Sequence, residues 1–153
     1  RAQFEKVQAM IERGIADGAM VAAGGPGRPE GLARGYFVRP TVFTGVDPAS
    51  RIAREEIFGP VLAVIPYEDD AEAVALANDS DFGLGGTVWS TDTDRATAVA
   101  RAVETGTIGV NAYNLDIAAP FGGVKASGLG RELGPEGLDA YLVTKSIYRT
   151  GQA

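Results

Sequence analysis

Between Val61 and Asn111 the apolar residues switch repeatedly between a strand-like and a helix-like period, and this limits the fold more than any other feature. Val61–Ile65 is a continuous apolar run, the pattern of a strand buried on both faces. Asp69 or Asp70 then opens a helix carrying Ala71, Val74, Ala75 and Leu76. Gly85–Trp89 reads as a strand. Asp92 or Asp94 opens a second helix, with Ala96, Val99, Ala100 and Val103 facing inward, and Gly106 ends it. Thr107–Asn111 returns to strand. This β-α-β-α-β order calls for an α/β fold, a parallel-rich sheet with flanking helices.

The flanking sequence extends that scheme. Gln3–Ala16 carries Phe4, Val7, Ile11 and Ile15 at helical spacing, and Gly18 is the expected stop. Met20–Ala23 reads as a short strand, and residues 24–31 as a loop. Tyr36–Val46, rich in aromatic and β-branched residues, reads as a strand interrupted at Pro40. Asp47 is placed as an N-cap, with Pro48 at the first helical position. Residues 112–135 form a long glycine-rich stretch, a length that in compact domains usually serves function. Pro135–Leu142 reads as a short helix and Val143–Arg149 as a final strand. No internal repeat or linker is visible, and 153 residues is the size of one ordinary domain.

Two absences narrow the chemistry. There is no Cys, so thiol nucleophiles, thiolate ligands and disulfides are excluded within these residues. There is no His, so a Ser-His-Asp triad or a zinc-His site cannot be built from them, and no metal site is expected. The net charge of −6, with scattered basic residues, argues against nucleic acid and anionic lipid as partners. No apolar run is long enough to span a bilayer, and the mixed-charge N-terminus is unlike a signal peptide. A cytoplasmic chain is therefore the expectation. The chain begins at Arg1, from which either processing or membership of something longer is expected.

The glycine-rich stretches do not form nucleotide fingerprints. Gly128–Gly134 has one residue too many for G-x-G-x-x-G, Gly25-Pro26-Gly27 places proline where a donor is needed, and no P-loop occurs. Asn78-Asp79-Ser80 matches a glycosylation sequon but is read as a helix end. Two other stretches have more to offer. In Glu55-Glu56-Ile57-Phe58-Gly59-Pro60 the acids can be plain solvated charges and Phe58 plain core. Equally, a carboxylate matches two neighbouring ribose hydroxyls, and an aromatic two residues on can wall the same sugar or its base. In Phe121–Glu132 the glycines permit close backbone approach and Phe121 can line a pocket, while Lys125, Arg131 and Glu132 suit either a solvated face or a polar network.

Taken in order, Gly35-Tyr-Phe-Val-Arg-Pro-Thr-Val-Phe43, Glu55–Val61, Asn78 with Phe82-Gly83-Leu84, Gly109-Val110-Asn111 and Pro120-Phe-Gly-Gly-Val-Lys-Ala-Ser-Gly-Leu-Gly-Arg-Glu-Leu133 resemble the NAD(P)-dependent aldehyde dehydrogenase superfamily. The resemblance runs from about Gln3 to Tyr148. It implies that Glu56 holds the nicotinamide-ribose hydroxyls of NAD or NADP and that Phe58 packs beside that ribose and ring. It implies that Asn111 and residues 112–120 contribute to the mouth of the substrate tunnel, with Phe121 an aromatic wall. Glu132 resembles a buried acid sometimes assigned to a proton relay. Lys125, Gly123, Gly128 and Gly130 look like scaffolding. Residues 1–142 are then the C-terminal part of the catalytic domain. Residues 143–153 are an oligomerisation strand and tail, implying a homo-oligomer, dimer or tetramer.

The same resemblance exposes a gap. The family's reaction needs a Cys thiolate that attacks the aldehyde, a hydride acceptor, and a Glu base for hydrolysis of the thioester. The nucleophile, that base and the glycine-rich cofactor fold all match family sequence ahead of this chain's first helix. The chain therefore reads as a C-terminal piece of an aldehyde dehydrogenase, inactive alone. The other readings are one subunit of a split enzyme, or a non-catalytic module binding nucleotide or a partner. An unpaired edge at Val143–Tyr148 is expected to make the isolated chain associate.

Overall fold

The computed structural model describes residues 1–151. They form two compact units, Arg1–Leu76 and a second from Ala77 onward.

In the first unit α1 (Ala2–Ala16) leads into β1 (Met20–Ala23), β2 (Thr41–Thr44), α2 (Arg51–Arg54) and β3 (Val61–Ala63). Helix α1 ends where Gly18 takes φ +93°. There the Gly18 N–H donates to the Ile15 carbonyl and the Ala19 N–H to the Gly14 carbonyl, a paired closure that satisfies the last free carbonyls. The buried face of α1 is Val7, Met10, Ile11 and Gly14. It is rotated from the expected stripe, with Ile15 exposed, because Gly14 lets the helix approach the side chains of Phe43 and Ile52. A sheet in the order β1-β2-β3 lies against this face, β1 antiparallel to β2 with a bulge and β2 parallel to β3.

Strand β2 alternates buried and half-buried residues, with Thr41 and Phe43 inward. Thr41 is buried yet satisfied: its Oγ1 accepts from the Gly25 N–H at 3.1 Å and donates to the Arg39 carbonyl at 2.9 Å. The core of the unit is Val7, Met10, Ile11, Phe43, Val46, Ile52 and Ile57.

Three local expectations are corrected here. Residues 36–40 form no strand, since Pro40 lacks the N–H a ladder requires and restricts Arg39 before it. Asp47-Pro48 makes a turn rather than a helix start: the Asp47 carboxylate accepts from the Ala49 N–H and its carbonyl from the Ser50 N–H. Ser50 precedes α2 instead. Val61–Ile65 is not buried on both faces. Val61, Ala63 and Ile65 pack on the core, while Leu62 is 58% exposed and Val64 is exposed beside it.

The division between units falls within α3 (Asp70–Asn78), whose start is fixed by the Asp69 carboxylate accepting from the Glu72 N–H. The second unit contains β4 (Phe82–Gly83), β5 (Gly85–Val88), α4 (Thr93–Ala102), β6 (Thr107–Val110), β7 (Val124–Lys125) and α5 (Gly134–Asp139). Strands β5 and β6 pair in parallel, with α4 as the crossover. Asp92 caps α4 by accepting from the Arg95 N–H at 2.9 Å, and Ala96 and Ala100 form its buried side. Strands β4 and β7 pair antiparallel.

The fold is α/β, but in place of a parallel-rich sheet the described residues form three small sheets, with two parallel and two antiparallel pairings. Strand β3 pairs with β2 and β5 with β6, so the βαβ unit formed is β5–α4–β6.

The expected final strand over Val143–Arg149 is also not formed. A strand exists only by pairing, and this segment has no ladder partner among the described residues, leaving Val143 96% exposed. The last residues of the expected tail, 152 and 153, lie outside the described residues. Among the described residues no helix is long and apolar enough to cross a membrane.

Phe43 is fully buried at the centre of the first core. Phe43→Ala is expected to lower stability by about 3–5 kcal/mol, read from the shift of the urea midpoint.

Candidate functional site

Glu56 and Phe58 belong to the first unit, and Asn111, Phe121 and Glu132 to the second.

In the first unit the segment Glu55–Pro60 is laid on α1. Ile57 anchors it, only 8% exposed in the core. Gly59 lies so close to α1 that a Cβ there would sit 2.6 Å from Val7 Cγ2, so only glycine fits. Side chains of α1 then hold the backbone. Gln3 Nε2 donates to the Ile57 carbonyl at 3.1 Å and to the Phe58 carbonyl at 2.8 Å. Lys6 Nζ donates to the Glu56 carbonyl at 2.7 Å. Phe58 adopts φ +56°, a conformation rare for a bulky residue and kept only where the surroundings impose it.

The consequence is a pair of outward groups on a fixed frame. Phe58 is 75% exposed, and the exposed Glu56 carboxylate makes no hydrogen bond or ion pair within the described residues. An acceptor-only carboxylate beside an uncovered aromatic face suits a ligand with adjacent hydroxyls and a planar ring. Nothing in the motif alone announced Gln3 and Lys6. Their i,i+3 spacing next to Val7 on α1 was the available signal.

In the second unit Asn111 closes β6. It too has positive φ, +56°. Its Oδ1 accepts from the Ser90 N–H and its Nδ2 donates to the Ser90 carbonyl, both at 2.8 Å. The amide thus continues the β5–β6 ladder by one side-chain rung and aims the following loop. That loop bounds a cleft of about 250 Å³ lined by Thr107–Gly109, Tyr113–Asp116, Ala119 and Pro120. Thr107 Oγ1 donates to the Leu84 carbonyl, so the 2.6 Å contact with Tyr113 Oη has the tyrosine as donor.

Phe121 follows the cleft and is half-buried. Its N–H and carbonyl exchange hydrogen bonds with those of Glu132, each at 2.7 Å, closing residues 121–132 into one loop. Inside it, Arg131 Nη1 donates to the Gly123 and Gly130 carbonyls at 2.8 Å. Lys125 Nζ donates to the Asn78 carbonyl at 2.7 Å and pairs with Glu104 at 2.9 Å. Asn78 in turn reaches the end of α4, through Ala102 and the Glu104 N–H. Glu132 is exposed: it takes part in the loop closure through its backbone, and nothing among the described residues covers its side chain.

The aldehyde dehydrogenase family model matches residues 1–147. The chain belongs to the aldehyde dehydrogenase family. Among curated aldehyde dehydrogenase relatives, a geranial dehydrogenase of Castellaniella defragrans is 57% identical over 150 residues, which are 98% of this chain and 31% of that protein. A 3-succinoylsemialdehyde-pyridine dehydrogenase of Pseudomonas sp. is 50% identical over 95% of this chain and 30% of its own length. Among solved structures, a mutant of aldehyde dehydrogenase C from Pseudomonas syringae complexed with NAD+ and octanal superposes with TM-score 0.93 at 51% identity, over 96% of this chain and 30% of that one. The Mycobacterium tuberculosis aldehyde dehydrogenase complexed with NAD+ gives 0.88 at 51% identity, over 92% and 29%. The chain therefore spans about 30% of the length of these aldehyde dehydrogenases.

Lys125 is the tie between the Phe121–Glu132 loop and the ends of α3 and α4. Lys125→Met is expected to loosen that loop by about 1–3 kcal/mol of local stability. Hydrogen exchange will show faster loss of protection at the Phe121 and Glu132 amides, with β1–β3 unchanged.

Proposed function

We propose that this chain is the C-terminal portion of an NAD(P)-dependent aldehyde dehydrogenase that oxidises an aldehyde to a carboxylic acid. The observation that carries the reading is the frame around Phe58: a backbone pinned at three successive carbonyls, presenting an unpartnered carboxylate and an exposed ring. A backbone held at three carbonyls while its side chains stay exposed fits a binding role better than a packing role.

In this reading Glu56 accepts hydrogen bonds from the nicotinamide-ribose hydroxyls. Phe58 walls the ribose and ring and keeps water from that side. NAD or NADP, when bound, accepts the hydride released by the aldehyde carbon. Residues 112–120 contribute to the substrate mouth, Phe121 lines it, and Asn111 aims the stretch rather than touching substrate, since both ends of its amide are already bonded. Glu132 is read as a proton-relay acid that other parts of the enzyme cover. The attacking thiolate comes from another part of the enzyme, because this sequence has no Cys, and the Glu base is read as belonging to family sequence ahead of α1. Residues 143–153 are read as a segment that pairs with a second copy, in a cytoplasmic homo-oligomer; the exposed Val143, Ile147 and Tyr148 support an apolar contact there.

Two measurements check this. Glu56→Gln in the complete enzyme is expected to weaken NAD(P) binding about tenfold or more, the worth of hydrogen bonds to a charged group, without lowering the melting temperature. Unchanged affinity for both cofactors would overturn the assignment. The isolated 153-residue chain is expected to show no aldehyde-dependent reduction of NAD or NADP; turnover at an enzyme-like rate would contradict the placement of the nucleophile elsewhere.

A further inference from the structure

We infer that residues 112–120 select aldehydes carrying an uncharged, apolar chain, with Leu115 and Ile117 as the side chains that meet it. The inference rests on the reading of this stretch as part of the substrate mouth given above. Its first support is the charge pattern. From Thr107 to Val124 the sequence holds no Lys or Arg, and Asp116 is its one charged residue. The basic side chains that follow are engaged elsewhere: Lys125 on Asn78 and Glu104, Arg131 on the Gly123 and Gly130 carbonyls. An aldehyde ending in a carboxylate finds no cation on this wall, and Asp116 lines the same cleft. Bringing a carboxylate out of water without a partner costs far more than the contacts of its chain return.

The second support is where the loop's polar groups are engaged. Tyr113 Oη donates to Thr107 Oγ1 and lies against β5, where a Cβ on Gly85 would come within 2.9 Å of it. The Asp116 carboxylate accepts from the Ala118 N–H at 2.8 Å, and its carbonyl from the Ala119 N–H at 3.0 Å. The Ile117 carbonyl accepts from the Gly134 N–H at the start of α5. The loop is thus tied at Tyr113, Asp116 and Ile117 by its own polar groups. What it turns outward is apolar: Leu115 is 58% exposed and Ile117 78%. Leu115 joins Ile108, Ala119 and Pro120 in the cleft. Asn114, also in the cleft, is neutral and cannot offset a charge on a ligand. Large apolar side chains held outward on a tied loop gain free energy only when something apolar covers them. The hydrocarbon chain of an aldehyde is the occupant that this charge pattern admits.

The test uses the complete enzyme and compares kcat/KM for acetaldehyde, butanal, hexanal and succinic semialdehyde, the last being butanal with a carboxylate in place of its terminal methyl. Efficiency is expected to rise about three- to fourfold with each added methylene. Succinic semialdehyde is expected to fall about a hundredfold or more below butanal. In Leu115→Ala and Ile117→Ala the ratio of hexanal to acetaldehyde drops about tenfold, from lost apolar contact. In Ile117→Lys the ratio of succinic semialdehyde to butanal rises about tenfold, from the new opposite charge. Each ratio is read within one variant, so a loss of folded protein cancels. Equal efficiency with succinic semialdehyde and butanal, or no dependence on chain length, would overturn the inference and leave the functional reading standing. Ratios unchanged in all the variants would put the selecting surface elsewhere and overturn the assignment to Leu115 and Ile117. Absence of NAD(P)-dependent oxidation of any of these aldehydes would count against the functional reading and take the inference with it.

Discussion

The contact between the start of α1 and the Ile57–Gly59 segment is the constraint on which the first unit depends. Val7 is buried at the point where Gly59 presses closest, and Ile57 enters the same core as Ile11 and Phe43. Hydrophobic burial thus selects where the segment lies, and polar contacts from the same helix select how its peptides are turned. A side chain larger than hydrogen at position 59 would lift the segment off α1 and break both conditions together.

The second unit reaches a comparable precision by other means. Its core is thin, with Ala96 and Ala100 as the buried apolar residues. Order in its long loop comes instead from polar closure: a reciprocal backbone pair at Phe121 and Glu132, an arginine spanning Gly123 and Gly130, and a lysine braced between Asn78 and Glu104. Each of these groups is satisfied by a main-chain or charged partner, which is what permits an irregular segment to hold one shape.

Much of this was legible in the residues, and the rest failed for identifiable reasons. Helix α1 with its Gly18 stop, the capped α4 and the β5–α4–β6 unit follow from periodicity and capping alone. The orientation of α1 did not, because a glycine at position 14 carries no hydropathy signal and yet decides which face approaches Phe43. The apolar run at Val61–Ile65 was misjudged because Leu62 and Val64 are apolar without being covered, and a hydrophobic residue says nothing about what lies over it. The exposure of Glu132 and the absence of a strand over Val143–Arg149 have the same root: burial of the one and pairing of the other both need a partner surface, which composition does not encode. Among the candidate site residues, Glu56 and Phe58 stood out by residue type, but the means of holding their backbone came from a helix more than fifty residues earlier.

That separation has a kinetic meaning. The bond from Gln3 to Ile57 closes a loop of 54 residues. The entropy of that closure must be met before the bond contributes anything, so the turn at Phe58 takes its shape late, after the intervening hairpin and helices have brought the two ends together. By the same reasoning it is among the earliest features lost when the unit loosens, since exposed side-chain bonds open at far less cost than a core. Warming or mild denaturant should therefore scatter the orientation of the ring at position 58 while Phe43 is still enclosed. For this part of the molecule, the order of the turn ends before foldedness does.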